Sequence, residues 1–171
     1  MKRWYCVLLA GLLLAALVGC GDGGDNPLAL YKDGEPIIWL GMSRDEVYQT
    51  LGGDTSDDPT RAVHYGDFNI YYEGDIVESI FILTSACTDW RGVTVGMKKN
   101  DVYKRYDPSE VYYSEDDKYW SIRLKLDENK QILPPDADDY TYMIDSAAES
   151  PKENPTDRVG LMAIEGPYDW D

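Results

Sequence analysis

The amino-acid sequence predicts an α+β domain: a duplicated helix-plus-antiparallel-hairpin repeat whose strands form one curved antiparallel sheet with two short helices on one face. Three observations carry this reading. The segment GMSRDEVYQTLGG at Gly41 has a second copy, GMKKNDVYKRYDP, at Gly96. Each copy is followed by runs rich in Val, Ile and Tyr, which turn residues divide into strand-length pieces. Within most pieces apolar and polar residues alternate, the period of a half-buried strand.

The chain opens MKRWYCVLLAGLLLAALVGC, with cations at Lys2 and Arg3, an apolar run from Val7 to Val18, then Gly19 and Cys20. This is the layout of an export signal. The run is shorter than the roughly 20 apolar residues of a membrane-spanning helix. Leu17, Val18, Gly19 and Cys20 resemble the bacterial lipobox. That resemblance implies loss of residues 1–19 as a signal peptide and attachment of lipid, palmitate included, to Cys20. Two acyl chains, at about 0.8 kcal/mol per buried methylene, hold a protein stably at a membrane. The following GDGGDNP has no apolar side chain to bury, which predicts a flexible linker over residues 20–27. Residues 28–171 are then read as a single domain, with repeats over about 37–86 and 91–171. The expected place is the extracytoplasmic face of a cell membrane, facing the periplasm where the envelope has two membranes.

The first copy predicts a helix of about two to three turns. Ser43 and Glu46 match a capping box, and Met42 with Val47 matches a hydrophobic staple. Val47 and Leu51 share a face, and Gly52 with Gly53 supplies a left-handed stop. The second copy keeps Met97 and Val102, but Lys98 stands where the capping serine stood and Asp107-Pro108 ends the run. A weaker, more easily frayed helix is expected there.

Three hairpins follow from the turn signals. The first, HYGDFNIYYEGDIVESIFIL, bends at Glu73–Asp75; the second, KYWSIRLKLDENKQIL, bends at Asp127–Asn129; the third pairs YTYMIDSA with RVGLMAI across the Pro-containing loop ESPKENPTD. Alternation points Phe68, Ile70, Tyr72, Trp120, Ile122, Leu124 and Leu126 inward. It points Asn69, Tyr71, Tyr119, Ser121, Arg123 and Lys125 outward. In VESIFIL the alternation breaks, with Val77 and Phe81 on one parity and Ile80 and Ile82 on the other. A bulge or a strand buried on both faces accounts for it.

The repeated G-M-x-x-(D/N)-(D/E)-V-Y-x-x-(L/Y), with Tyr-rich strands and RGVTVG leading into the second copy, resembles the repeat shared by β-lactamase inhibitory protein and the small barrel-assembly lipoproteins of the SmpA and OmlA type. The resemblance covers about Ile38 to Ile132. It implies an exported, often lipidated α+β protein that acts by binding other proteins. The inhibitory protein carries a disulfide in each repeat and this chain does not, so the resemblance does not imply an inhibitor.

Side-chain chemistry narrows the function classes. A net charge of −16 disfavours nucleic acid and anionic surfaces. With Cys6 in the signal and Cys20 lipidated, Cys87 has no intrachain disulfide partner, and a buried thiol is expected. His64 is the only histidine, and a pairing with Cys87 lacks a third, orienting residue. The clusters DTSDDP, SEDDK and DADDY have neither EF-hand order nor its glycine, so solvated loops are expected and no metal or cofactor is assigned. The expectation is a non-enzymatic, lipid-anchored module that binds a protein in the envelope, with a calcium- or solute-binding lipoprotein as the alternative and a hydrolase third. Interfaces favour Tyr, Trp and Arg, and Tyr71, Tyr119, Arg123 and Lys125 on the outward parity form the candidate partner surface. The competing explanation is that tyrosine simply suits half-exposed strands.

Overall fold

The computed structural model describes residues 26–53, 62–115, 119–149 and 157–166. Among them the chain runs through β1 (Ala29–Lys32), β2 (Glu35–Trp39), α1 (Arg44–Leu51), β3 (Val63–His64), β4 (Phe68–Glu73), β5 (Ile76–Ile82), α2 (Lys99–Tyr103), β6 (Val111–Glu115), β7 (Tyr119–Leu126), β8 (Tyr142–Glu149) and β9 (Leu161–Glu165). Seven strands form one antiparallel sheet in the order β3-β4-β5-β9-β8-β7-β6, and β1 pairs with β2 separately. The fold is thus mostly antiparallel sheet with two short helices. The last strand, β9, sits between β5 and β8 and joins the two halves of the sheet.

The β1–β2 hairpin went unassigned in the sequence, although Asp33-Gly34 is a strong turn signal. Asp33 (φ 54°) and Gly34 (φ 86°) both take the left-handed region that a two-residue hairpin turn requires. Tyr31 is tied to Thr88 by a reciprocal pair of backbone hydrogen bonds of 2.9 and 3.0 Å, which holds this small sheet on the body.

Helix α1 has the expected cap. The Glu46 N–H donates to Ser43 Oγ at 3.3 Å and the Ser43 N–H donates to Glu46 Oε2 at 2.7 Å. Helix α2 spans only 5 residues, and Lys98 at its N-cap makes no side-chain cap bond. Losing such a cap costs a helix about 0.5–2 kcal/mol. Each helix buries one side chain, Val47 or Val102, in the core that the inward strand residues build.

Both helix starts are fixed by the same set of backbone hydrogen bonds. At the first copy Gly41 donates to Val77, Val77 donates to Met42 and Arg44 donates to Asp75 (2.9, 2.8 and 2.8 Å). At the second copy Gly96 donates to Val159, Val159 donates to Met97 and Lys99 donates to Asp157 (2.8, 2.9 and 2.5 Å). The strand leaving the first contact is β5 and the strand leaving the second is β9. These two pair with each other at the centre of the sheet.

The inward set is as the alternation predicts, with Phe68, Ile70, Tyr72, Trp120, Ile122, Leu124 and Leu126 all buried. The irregularity in β5 is a bulge. Tyr71 faces Ser79 while Tyr72 faces Val77, so Glu78 is the extra residue. Two expectations fail around β7. Its partners are β6 and β8, and VYYSE in β6 is a strand that the sequence reading left unassigned. The run after Asp127 makes only one bridge, Leu126 to Ile132. Pro134 and Pro135 cannot donate to a ladder, and Asp127 Oδ1 instead gathers the N–H groups of Asn129 and Gln131 at 2.9 and 2.8 Å in a tight turn.

Candidate partner surface

The strand registers place two rows of side chains on the sheet face turned away from the core. One row runs Asn69, Phe81, Ala163, Asp145, Arg123, Tyr112, and the next runs Tyr71, Ser79, Glu165, Met143, Lys125. Tyr71 and Lys125 stand four strands apart in one row, about 19 Å at ordinary strand spacing. Three of the four predicted surface residues therefore share a face and lie at its two sides. The backbone of Tyr119 pairs with Glu149; its side chain, like the whole of Cys20, lies outside the described residues.

The predicted residues differ in what they offer. Tyr71 is 40% exposed and packs edge-on against Phe81 at 5.1 Å. Arg123 Nε donates to Asp145 Oδ2 at 3.2 Å. Burial pushes the Asp145 carboxyl above the usual range, and the charge of Arg123 opposes the shift. The other oxygen, Asp145 Oδ1, is buried with no hydrogen-bond partner. Lys125 departs from the expected free cation: it is half-buried, and its Nζ donates to the Ala137 carbonyl at 2.5 Å. It also lies 5.2 Å from the Tyr140 ring and 5.9 Å from the Tyr112 ring. Its role is to hold the loop after β7 against the sheet. Ser121, outward by parity, is fully buried, because a short side chain in an interior strand is covered by longer neighbours.

Sequence reasoning missed Tyr112, Leu161 and Asp145 on this face. Tyr112 and Leu161 are 43% and 41% exposed. Asp145 was findable, since Ile144 and Asp145 alternate within YMIDSA; Tyr112 was not, because its strand was unassigned.

The remaining chemistry sits elsewhere. His64 Nδ1 lies 2.6 Å from Asn69 Oδ1 on the short edge strand β3. Cys87 is fully buried, and burial pushes its thiol up, away from the reactive thiolate. Asp89 is a buried carboxylate at the start of DWRGVTVG. Its Oδ1 accepts from the N–H groups of Arg91 and Val93 at 2.9 and 2.8 Å, and its Oδ2 accepts from the Tyr106 hydroxyl. Among the described residues no three His, Cys, Asp or Glu side chains converge as metal ligands, and no helix is long and apolar enough to cross a membrane. Comparison with protein-family models, curated proteins and solved structures gives no match for this chain.

Proposed function

We propose that this protein is an exported, lipid-anchored, non-catalytic module that binds another protein of the envelope through the open face of its sheet. The observation that carries the reading is the pairing on that face of exposed Tyr71, Tyr112 and Leu161 with the Arg123–Asp145 pair. Amphipathic aromatics around a partly desolvated charge pair are the composition of an interface centre.

The tether follows from MKRWYCVLLAGLLLAALVGC, with Cys20 as the lipidated residue. The duplicated helix-and-hairpin repeat, with both helices on one side of the sheet, is part of the same reading. It is supported by the matched hydrogen bonds at Gly41 and Gly96 and by the shared core of Val47 and Val102. It also agrees with the resemblance to β-lactamase inhibitory protein and the small barrel-assembly lipoproteins.

Metabolic labelling with a palmitate analogue tests the tether. Label in the full chain that disappears in Cys20→Ala, together with release of the variant from the membrane fraction, is expected. An unlabelled chain that still fractionates with membranes contradicts the lipid anchor.

A further inference from the structure

The seven-stranded sheet ends at β6, and this edge differs from the others. At the opposite end β3 has two residues, Val63 and His64. In the separate small sheet, β2 contains Pro36, and its pairing with β1 shifts register. Very short strands, proline and bulges are means by which proteins close a sheet edge to further pairing. Strand β6 has none of these: its five residues, Val111 to Glu115, pair with β7 in an unbroken register.

The main chain of β6 turns outward at alternate residues. The Lys125 carbonyl accepts from the Leu133 N–H at 2.9 Å, whereas the Leu126 carbonyl accepts from the Thr141 N–H at 2.8 Å on the β8 side. Successive residues of a strand turn their main-chain groups to opposite edges, so Lys125, Arg123 and Ser121 turn theirs toward β6. Tyr112 and Ser114, the register partners of Arg123 and Ser121, meet them. Val111, Tyr113 and Glu115 are left with N–H and carbonyl groups on the open side, and among the described residues these have no partner. Two tyrosines flank that row. Tyr112 is exposed on the open face, and Tyr113, exposed on the helix side, packs against Tyr103 of α2 at 5.3 Å.

We infer that β6 accepts an extended, cation-ended segment of another protein as an added strand of the sheet. An unpaired row of donors and acceptors is matched by another extended main chain, which supplies affinity, while side chains on alternate faces supply specificity. Charge selects among the occupants. Glu110 and Glu115 bracket the strand; each pairs with one cation, Arg91 or Lys99, and remains partly exposed. A second copy would bring the same two acids beside them on a body of net charge −16, and like charge opposes that. A strand with lysine or arginine at its ends complements them instead. The inference rests on the proposed protein-binding role and adds a main-chain contact at the rim of the face that carries it.

Titration of the isotope-labelled full chain in neutral detergent micelles with the end-capped peptide Lys-Val-Thr-Val-Thr-Val-Lys, followed by amide NMR, tests it. Saturable shifts centred on β6, with slowed hydrogen exchange at the Tyr113 N–H, are expected. Tyr113→Ala and Tyr113→Pro both remove the ring, but only proline removes the outward N–H, a loss that an edge strand tolerates. Binding about threefold or more weaker in the proline variant than in the alanine variant is expected, as loss of one hydrogen bond predicts. The same peptide with glutamate at both ends is expected to bind about threefold or more weaker than the lysine form. Absence of saturable shifts, or shifts centred away from β6, overturns the site. Equal binding by the two variants overturns main-chain pairing, and equal binding of the two peptides overturns the assignment to a cationic segment. Failure of the edge is distinguishable from failure of the open face, because photocrosslinking from Tyr71 on β4 tests that face far from β6.

Discussion

Replacing Tyr106 with Phe removes one oxygen and little else, and its effect follows from the surroundings of Asp89. Asp89 is 1% exposed and Tyr106 is 4% exposed. Two backbone N–H groups satisfy Asp89 Oδ1, while Oδ2 depends on the Tyr106 hydroxyl. In Tyr106→Phe the ring stays and still packs under the Arg91 guanidinium, which lies 4.9 Å from its centre, so no large cavity opens. The loss is one hydrogen bond to a buried carboxylate, worth about 1.5–3 kcal/mol. In a chain of this size that lowers Tm by about 4–9 °C. Urea unfolding followed by tryptophan fluorescence measures it, with an unchanged m value as the sign of an intact native state. Tyr48→Phe is the control, because Tyr48 is 55% exposed and surface changes of this kind stay within about 0.5 kcal/mol. A Tyr106→Phe midpoint equal to that of the control would refute the claim that this bond secures the buried Asp89 carboxylate.

Three further outcomes are expected. Burial holds the Asp145 carboxyl above its usual range, so its contribution to stability is present below the unfolded pKa of about 3.9 and is lost as pH rises through the folded value. The stability of the parent relative to Asp145→Asn therefore falls as pH rises above about 4, and urea midpoints that run parallel with rising pH contradict it. Lys98→Ser restores a capping side chain to α2 and is expected to raise stability by about 1 kcal/mol in urea unfolding; a midpoint equal to the parent's contradicts the reading of Lys98 as a missing cap. Gly166→Ala brings a Cβ to 2.9 Å from the Glu78 carbonyl oxygen at the β5 bulge, a backbone clash expected to cost about 1–3 kcal/mol by thermal melting.

The parts of the fold legible in the sequence were those with a local physical signature. The capping box named the start of α1, and strict alternation picked out Trp120, Ile122, Leu124 and Leu126 as core, although Ser121 of the opposite parity is buried as well. Two misses had different causes. VYYSE is a five-residue edge strand flanked by acids, too short for its period to stand out. The run after Asp127 has strand-like residues, but Pro134 and Pro135 close it. The bulge at Glu78 showed as a broken alternation whose cause depended on the opposing strand, and no local signal carries that. Of the candidate surface, Tyr71 and Arg123 were legible from parity. The turn of Lys125 toward Ala137 was not, since it depends on a loop that folds back from twelve residues downstream. The place of Arg158 beside α2 was invisible for a similar reason, since it depends on the pairing of Gly96 with Val159.

The central claim is that the open sheet face meets a partner. In-cell photocrosslinking from probes placed singly at Tyr71 and Tyr112, with a third at Tyr48 on α1, tests it most directly. The account predicts one discrete adduct, identical from Tyr71 and Tyr112, absent from Tyr48 and diminished when Arg123→Ala is added. Adducts of the same kind and amount from all three positions would contradict it.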